Sequence, residues 1–323
     1  MSVTIVGSLN ADLFVEVASL PAPGETVRGS DLVVRPGGKG ANQAAAAASL
    51  GADVTMVGAV GDDDHGRLLT DSLAGTGVRT DRIRRLDAAS TGTAMITVDG
   101  SGENTIVISA GANAQVSAQD AETAIAPGTR VVGLCLEIAP DTVAAAVGRA
   151  GEVGATVVLN LSPYRAVDAA VLAGVDVLLV NEIELEQLLG PFADLADALP
   201  ALRELGVSRA VVTLGADGAA ILDATAQTTH RIASPTIEVV DTTGCGDAFT
   251  GGLISRLAGG AGRIDDAGLT GAALMDAVET AVRVGAYAAT GKGAQPSYPT
   301  TEQLAAWTDR TRVGDGVQGR SGP

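Results

Sequence analysis

Chemistry-bearing residues concentrate in "VVDTTGCGDAFTGGLISRLAGG", Val239 to Gly260. Asp241 and Asp247 bracket two threonines, Cys245 and the glycines at 244 and 246, and the chain then becomes an apolar, helix-like run. Glycines at these positions let successive backbone N–H groups point into one concavity, and a helix beginning near Asp247 adds its positive end. Together they make an anion site beside a carboxylate. Such a pair can neutralise a transferring phosphoryl group while the carboxylate takes the proton of an attacking hydroxyl. The same residues also read as a turn followed by an ordinary first-turn acid. The pattern alone leaves the two readings evenly matched.

Other stretches carry weaker signals. In "SLNADL", Asn10 and Asp12 follow the first strand; they form an Asx turn or offer donors and acceptors to hydroxyl groups. "GGKGAN" is a helix start holding Gly38, Lys39 and Asn42. It is not a phosphate-binding P-loop, because no Ser or Thr follows the lysine. "GAYAATGKG" also fails that pattern, with five residues between Gly285 and Gly291. Glu137 ends the apolar run "LCLEIAP", an unusual place for a carboxylate. Asn181 and Glu184 in "NEIE" read by themselves as a capped helix, and Thr213 and Gly215 in "TLGADG" as a tight turn. "GDDDHG", Gly61 to Gly66, reads as a capped helix start in preference to a metal cluster. Two cysteines, Cys135 and Cys245, two histidines and no CxxC leave no zinc framework and make a disulfide improbable.

The elements that must position these residues alternate. "VTIVG" is a short buried strand. "LFVEV", "ETVRG" and "DLVVRP" read as small antiparallel strands, and "GTAMITVDGSGENTIVIS" as a hairpin about "DGSGEN". Between them lie an Ala-rich helix stopped near Gly51, a strand over Val54–Val60 and a helix over about His65–Leu73. Beyond Gly111 the strands "RVVGLCLE", "ATVVLNL", "VDVLLVN", "RAVVTLG" and "AAILD" alternate with helical segments. This predicts an α/β fold: a three-layer core with a mostly parallel sheet flanked by helices, plus a small β-sheet lid. Residues 1–10, 37–90 and 111–308 belong to the core, and 11–36 and 91–110 are β excursions from it. The tail, 309–323, lacks apolar spacing and is expected to be disordered. Ligands of such sheets lie at the carboxyl ends of the strands.

Composition removes other classes. The 323 residues carry a net charge of −17 and 2% aromatics, which argues against nucleic-acid and anionic-membrane partners. Hydrophobic residues make up 46%, which excludes global disorder, and with so few aromatics the core must be built of Ala, Val, Leu and Ile. Neither a signal peptide nor a membrane-spanning run is visible, and the expected location is the cytoplasm.

Two long stretches together point to a family. "DTTGCGDAFTGGL" resembles the C-terminal signature of the ribokinase, or phosphofructokinase-B, family of sugar and nucleoside kinases. "RPGGKGANQAAAAASLGADVTMVGAVGDDDHG" resembles its N-terminal signature. "GENTIVISAGAN" and "TGKGAQPSYPT" are similar to the ribose-specific members, and the resemblance spans residues 3–300 in order. It implies ATP-dependent phosphorylation of D-ribose at its 5-hydroxyl. Alternatives are a sister kinase for deoxyribose, fructose or a nucleoside, and a non-catalytic sugar sensor. Asp247 matches the family's base, and the main-chain N–H groups of Gly244, Cys245 and Gly246 its anion hole. Asn10, Asp12, Gly38, Lys39, Asn42 and Glu137 match its sugar ligands. Asn181, Glu184, Thr213, Gly215, Gly218 and Gly246 match the surroundings of ATP, with Glu184 holding Mg2+ through water. Asp241, Thr243, Ala288, Gly291, Gly293 and Ser297 match a K+ site. The β excursions would form a lid that excludes water and joins two copies as a homodimer.

Three positions depart from the family pattern. Cys245 replaces a usual alanine or glycine, Val282 stands where a polar residue near the adenine is common, and "NLSPYR", Asn160 to Arg165, differs from an "NPAP"-like loop.

Overall fold

The computed structural model describes residues 2–260 and 272–317. The strands are β1 (Ser2–Val6), β2 (Asn10–Glu16), β3 (Val33–Gly37), β4 (Asp53–Gly61), β5 (Arg79–Leu86), β6 (Gly92–Val98), β7 (Asn104–Ser109), β8 (Val131–Cys135), β9 (Thr156–Asn160), β10 (Val177–Asn181), β11 (Arg209–Thr213), β12 (Ala219–Asp223) and β13 (Thr228–Ile232). Nine of these form one sheet in the order β13-β12-β11-β10-β9-β8-β1-β4-β5. The run from β11 to β5 is parallel, and β12 and β13 join antiparallel at one edge.

Side chains alternate across this sheet, so each central strand feeds two cores. Val3 and Ile5 enter one core, Val6 the other; Val158 and Leu179 enter the first, Val157 and Leu178 the second. The first core is closed by α1 (Lys39–Ser49), by Leu69 and Leu73 of α2 (Asp64–Gly75), and by two helices from the end of the chain. The second is closed by α3 (Ala118–Ala124), α4 (Pro140–Val153), α5 (Ala169–Leu172), α6 (Glu182–Leu189) and α7 (Leu199–Glu204). The late helices of the first core are α8 (Cys245–Gly259) and α9 (Ala272–Ala288). The three-layer reading holds.

A separate four-stranded sheet, β3-β2-β6-β7, is drawn from the two β excursions. β2–β3 and β6–β7 are antiparallel, and "DGSGEN" makes the β6–β7 turn as expected. The two excursions join through β2 and β6, which run parallel. "ETVRG" forms no strand, and among the described residues its one β-pairing is a bridge between Val17 and Gly29. β5, "RTDRIRRL", and β13 were not foreseen. β5 is an edge strand whose charged side chains face solvent, so it lacks the apolar alternation that marks a half-buried strand. The last helix, α10 (Thr301–Val317), continues into the stretch expected to be a disordered tail, and residues 318–323 lie outside the described residues.

Candidate active site

The start of α8 fixes the centre of the site. Gly244 has φ +75°, and a Cβ there would lie 2.5 Å from Ala294 Cβ and 2.7 Å from the Tyr298 hydroxyl, so only glycine fits. Asp247 sits in the first turn of α8 and is buried. Both its oxygens are held by amides: Asn42 Nδ2 donates to Oδ2 (3.0 Å) and Gln43 Nε2 to Oδ1 (3.1 Å). This meeting depends on small residues. A Cβ at Gly251 would come 2.4 Å from Ala46 Cβ, so the glycine of α8 and the alanines of α1 let the two helices nearly touch. Burial raises the Asp247 carboxyl above its ordinary value and Glu137 adds to the rise; Lys39 and the two amides oppose it.

Polar groups from other loops surround this carboxylate. Glu137, just beyond β8, accepts from the Ser8 hydroxyl and from the Lys39 backbone N–H (3.2 Å), which ties it to the start of α1. Burial acts to lower the Lys39 ammonium, yet Asp247 and Glu137 outweigh it and the net shift is upward. Asp12, on β2, is pushed up to about 7 by burial, with Glu137 and Asp247 contributing. Space for its carboxylate comes from Gly37, where a Cβ would fall 2.1 Å from Asp12 Oδ2. Asn10 accepts from Asn113 Nδ2 (2.7 Å), and Asn113 also bonds both backbone groups of Leu9. Gly38, at φ +90°, passes so close to Asn10 that a Cβ would lie 2.6 Å from its backbone nitrogen. Asn10, Asp12, Gly38, Lys39, Asn42, Glu137 and Asp247 thus form one polar cluster, linked through hydrogen bonds, close backbone approach and mutual charge effects.

A second cluster lies around the loop before α8. Asp241 accepts from Thr243 N (2.9 Å) and Gly293 N (2.8 Å), and Ala289 O receives the N–H groups of Val240 and Asp241. Tyr298 donates to the Gly244 carbonyl (3.2 Å). Asp241 and Thr243 are therefore joined to the segment that carries Ala288, Gly291, Gly293 and Ser297. The Cys245 N–H is engaged in the turn with Thr242 O (3.2 Å), whereas among the described residues the N–H groups of Gly244 and Gly246 have no internal acceptor. Burial, with Asp241 and Asp247 nearby, pushes the Cys245 thiol up to about 11, so it is a protonated filler of a small-residue position.

Asn181 and Glu184 form a reciprocal cap on α6: Asn181 Oδ1 accepts from Glu184 N (2.8 Å) and Glu184 Oε2 from Asn181 N (2.9 Å). Glu184 also lies close enough to raise Lys39. Thr213 ends β11 beside β10, and Gly215 and Gly218, both at positive φ, make the next turn. A cleft of about 510 Å³ lies between β13, α9 and α10, lined by Ile232, Ser234, Met275, Val282 and Trp307 among others. Asp63 caps α2 through Gly66 N (2.8 Å) and binds Thr91, the structural part expected of "GDDDHG". The departing loop 160–165 lies against the chain that bears Glu137: Leu136 N donates to Ser162 O (3.0 Å) and Arg165 Nη2 to Ile138 O (2.7 Å).

Sequence reasoning missed Ser8, Gln43, Asn113 and Gln295. Gln43 had a signal, being adjacent to Asn42 on the first turns of α1. The other contacts span too much sequence to be foreseen.

The pfkB family carbohydrate kinase pattern matches residues 1–301. The ribokinase of Haemophilus influenzae is 32% identical over 315 residues, covering 94% of this chain and 96% of that protein. The deoxyribokinase of Salmonella typhi is 33% identical over 311 residues, covering 94% and 97%. The structure of Arabidopsis thaliana ribokinase complexed with ribose and ATP superposes with a TM-score of 0.84 at 30% identity, over 94% of this chain and 97% of that one. Two kinds of match thus agree over the whole stretch that contains the amide-held Asp247, and the chain belongs to the pfkB family of carbohydrate kinases.

Proposed function

We propose that this carbohydrate kinase transfers the terminal phosphoryl group of ATP to the 5-hydroxyl of D-ribose. One observation carries the reading: Asp247 is buried at the positive end of α8, both oxygens are held by N–H donors, and Lys39, Asp12 and Glu137 surround it. The amide N–H groups that Asn42 and Gln43 turn toward it favour the ionised carboxylate and oppose the rise from burial, as a base requires. Asp12 and Asn10 take sugar hydroxyls, and Glu137 and Lys39 complete the polar wall. The Gly244 and Gly246 N–H groups, with the α8 dipole, receive the charge of the phosphoryl oxygens. Asp247 accepts the proton of the attacking hydroxyl.

Asp241 is one negative charge around which two chain segments fold, and that fits a monovalent cation ringed by carbonyls. K+ would be held by Asp241, Thr243, Ala288, Gly291, Gly293 and Ser297 and would stiffen the adjoining anion hole. Mg2+ fits Glu184, through water, with Asn181 beside it, and would screen the phosphates. Thr213, Gly215 and Gly218 would flank the nucleotide, and the adenine ring would enter the cleft beside Val282, where Ile232, Met275 and Trp307 stand among the charged Arg231, Glu279 and Arg283. The small sheet serves as lid and dimer interface. Ile106, Val107 and Ile108 of β7 are 53%, 59% and 51% exposed, so both faces of this strand lack cover among the described residues.

The similarity to a deoxyribokinase supports one rival, the same mechanism with 2-deoxyribose as acceptor. The test measures ATP consumption with ribose, deoxyribose, fructose and adenosine, in potassium and in sodium, for wild type and Asp247→Asn. Ribose turnover that falls about 10²–10⁴-fold in the variant is expected. Preference for another acceptor overturns the ribose assignment, and sugar binding without turnover favours a sensor.

A further inference from the structure

Gln295 has no assigned part in this chemistry, yet its carboxamide ends a chain of bonds that reaches Asp247. Ser72, on α2, donates through Oγ to Gln295 Oε1 (3.2 Å). Gln295 Nε2 donates to Asn42 Oδ1 (3.1 Å), and Asn42 Nδ2 donates to Asp247 Oδ2 (3.0 Å). The two ends of an amide are nearly the same shape, so bonding alone decides which way each points. Ser72 orients Gln295, and Gln295 orients Asn42.

We propose that Gln295 is a positioning residue that locks the Asn42 amide with its N–H group toward Asp247, keeping the base ionised and aimed during turnover. The inference rests on the reading of Asp247 as the base. Without the lock, Asn42 has a competing arrangement. Once Asp247 has taken a proton, a flipped Asn42 would accept that proton's hydrogen bond and stabilise the spent base. A donor fixed on Asn42 Oδ1 opposes the flip, because flipping would set two N–H groups against each other. The same short segment also gives Gly293 N to Asp241 and the Tyr298 hydroxyl to Gly244. Base and anion hole therefore share one support.

The test compares Gln295→Glu, Gln295→Leu and Ser72→Ala with wild type and Asp247→Asn. Glutamate at position 295 accepts only, so it draws the Asn42 N–H group to itself and turns the Asn42 carbonyl on Asp247. Leucine merely releases Asn42. Titratable groups facing Asp247 are Lys39 on α1, Asp12 on β2, Glu137 beyond β8, Cys245 on its own helix and Tyr298. All are retained in these variants. Two readouts are taken: the pH profile of kcat/KM on the best acceptor, and the 13C carboxyl titration of Asp247 in the free protein, assigned by its loss in Asp247→Asn. Losing donors raises a carboxyl, so the acid limb and the 13C midpoint are expected to move up by about one pH unit in Gln295→Glu, less in Gln295→Leu. kcat is expected to fall at least ~10-fold in Gln295→Glu with the nucleotide KM little changed. Ser72→Ala, the mildest change, is expected to move both readouts in the same direction. Because the carboxylate of Gln295→Glu raises Asp247 by its charge alone, the neutral variant decides: a folded Gln295→Leu with a wild-type limb and midpoint overturns the lock, as does a loss confined to thermal stability. Full activity in Asp247→Asn overturns instead the reading on which it rests.

Discussion

Asp12 holds its proton to about 7, against an ordinary carboxyl value of 3.8, because burial and the charges of Glu137 and Asp247 disfavour its ionised form. The folded protein binds this proton more tightly than the unfolded chain does. Stability therefore falls as pH rises from the unfolded value through the folded one, and the deficit stays at higher pH. Asp12→Asn removes the buried charge. We expect it to raise folding stability at pH 8 by on the order of 2–4 kcal/mol, seen as a higher Tm, and to leave Tm nearly unchanged near pH 4, by calorimetry at both pH values. The same group governs sugar binding, since its ionised form accepts two hydroxyls. The sugar KM is expected to rise as pH falls through about 7 in wild type and to lose that dependence in Asp12→Asn. An unchanged KM profile in the variant would assign the limb to another group. These shifts were not legible in the sequence, where Asp12 is one acid in a turn; the neighbouring carboxylates come from positions far along the chain.

Among the elements, the contact of α1 with α8 matters most to the site. Its closeness comes from Ala46 and Ala47 of α1 meeting Gly251, and from the glycine φ at 244 that sets the start of α8, while Gly252 faces Ala281 and Val284 of α9. Gly251→Val would drive side-chain atoms into Ala46 and the Ala47 backbone, 2.4 and 2.8 Å from the added Cβ. Overpacking of this kind costs about 1–3 kcal/mol. It would also draw Asn42 and Gln43 away from Asp247, so kcat should fall more than stability alone explains, measured well below Tm. A variant with lowered Tm but wild-type kcat would detach the helix contact from the chemistry. The "GGKGANQAAAAAS" and "GDAFTGG" stretches announced both helices correctly. They did not announce that one helix packs on the other, which depends on the sheet order that seats both on one face.

Across the whole molecule, the small sheet is the part least complete by itself. Leu32, Met95, Ile106 and Val107 are each about half exposed, and β7 is an edge strand with no cover on either face among the described residues. A second copy is the proposed cover. Ile106→Lys combined with Val107→Asp should convert a dimer to a monomer in sedimentation velocity and raise the sugar KM while the core stays folded. A wild-type protein that sediments as a monomer at micromolar concentration would remove the dimer from the proposal. Among the described residues no helix is long and apolar enough to cross a membrane.

By itself the sequence determined the parts whose physics is local. Short continuous β-branched runs announced the central strands, Asp63 and Asn181 their helix caps, and the glycine-rich stretch ahead of Asp247 a turn feeding a helix. It also carried the signatures that mark the family. Tertiary structure decided which of those residues meet. Asp247 lies 205 positions from Asn42, Asn113 lies 103 from Asn10, and Gln295 lies 253 from Asn42. Such contacts exist only once the parallel sheet has brought the carboxyl ends of its strands to one edge. Burial of this polar cluster is likewise a property of the assembled fold, and it is chiefly burial that raises Asp12 and Asp247. The direction in which an amide points is settled last, by the neighbours that folding supplies.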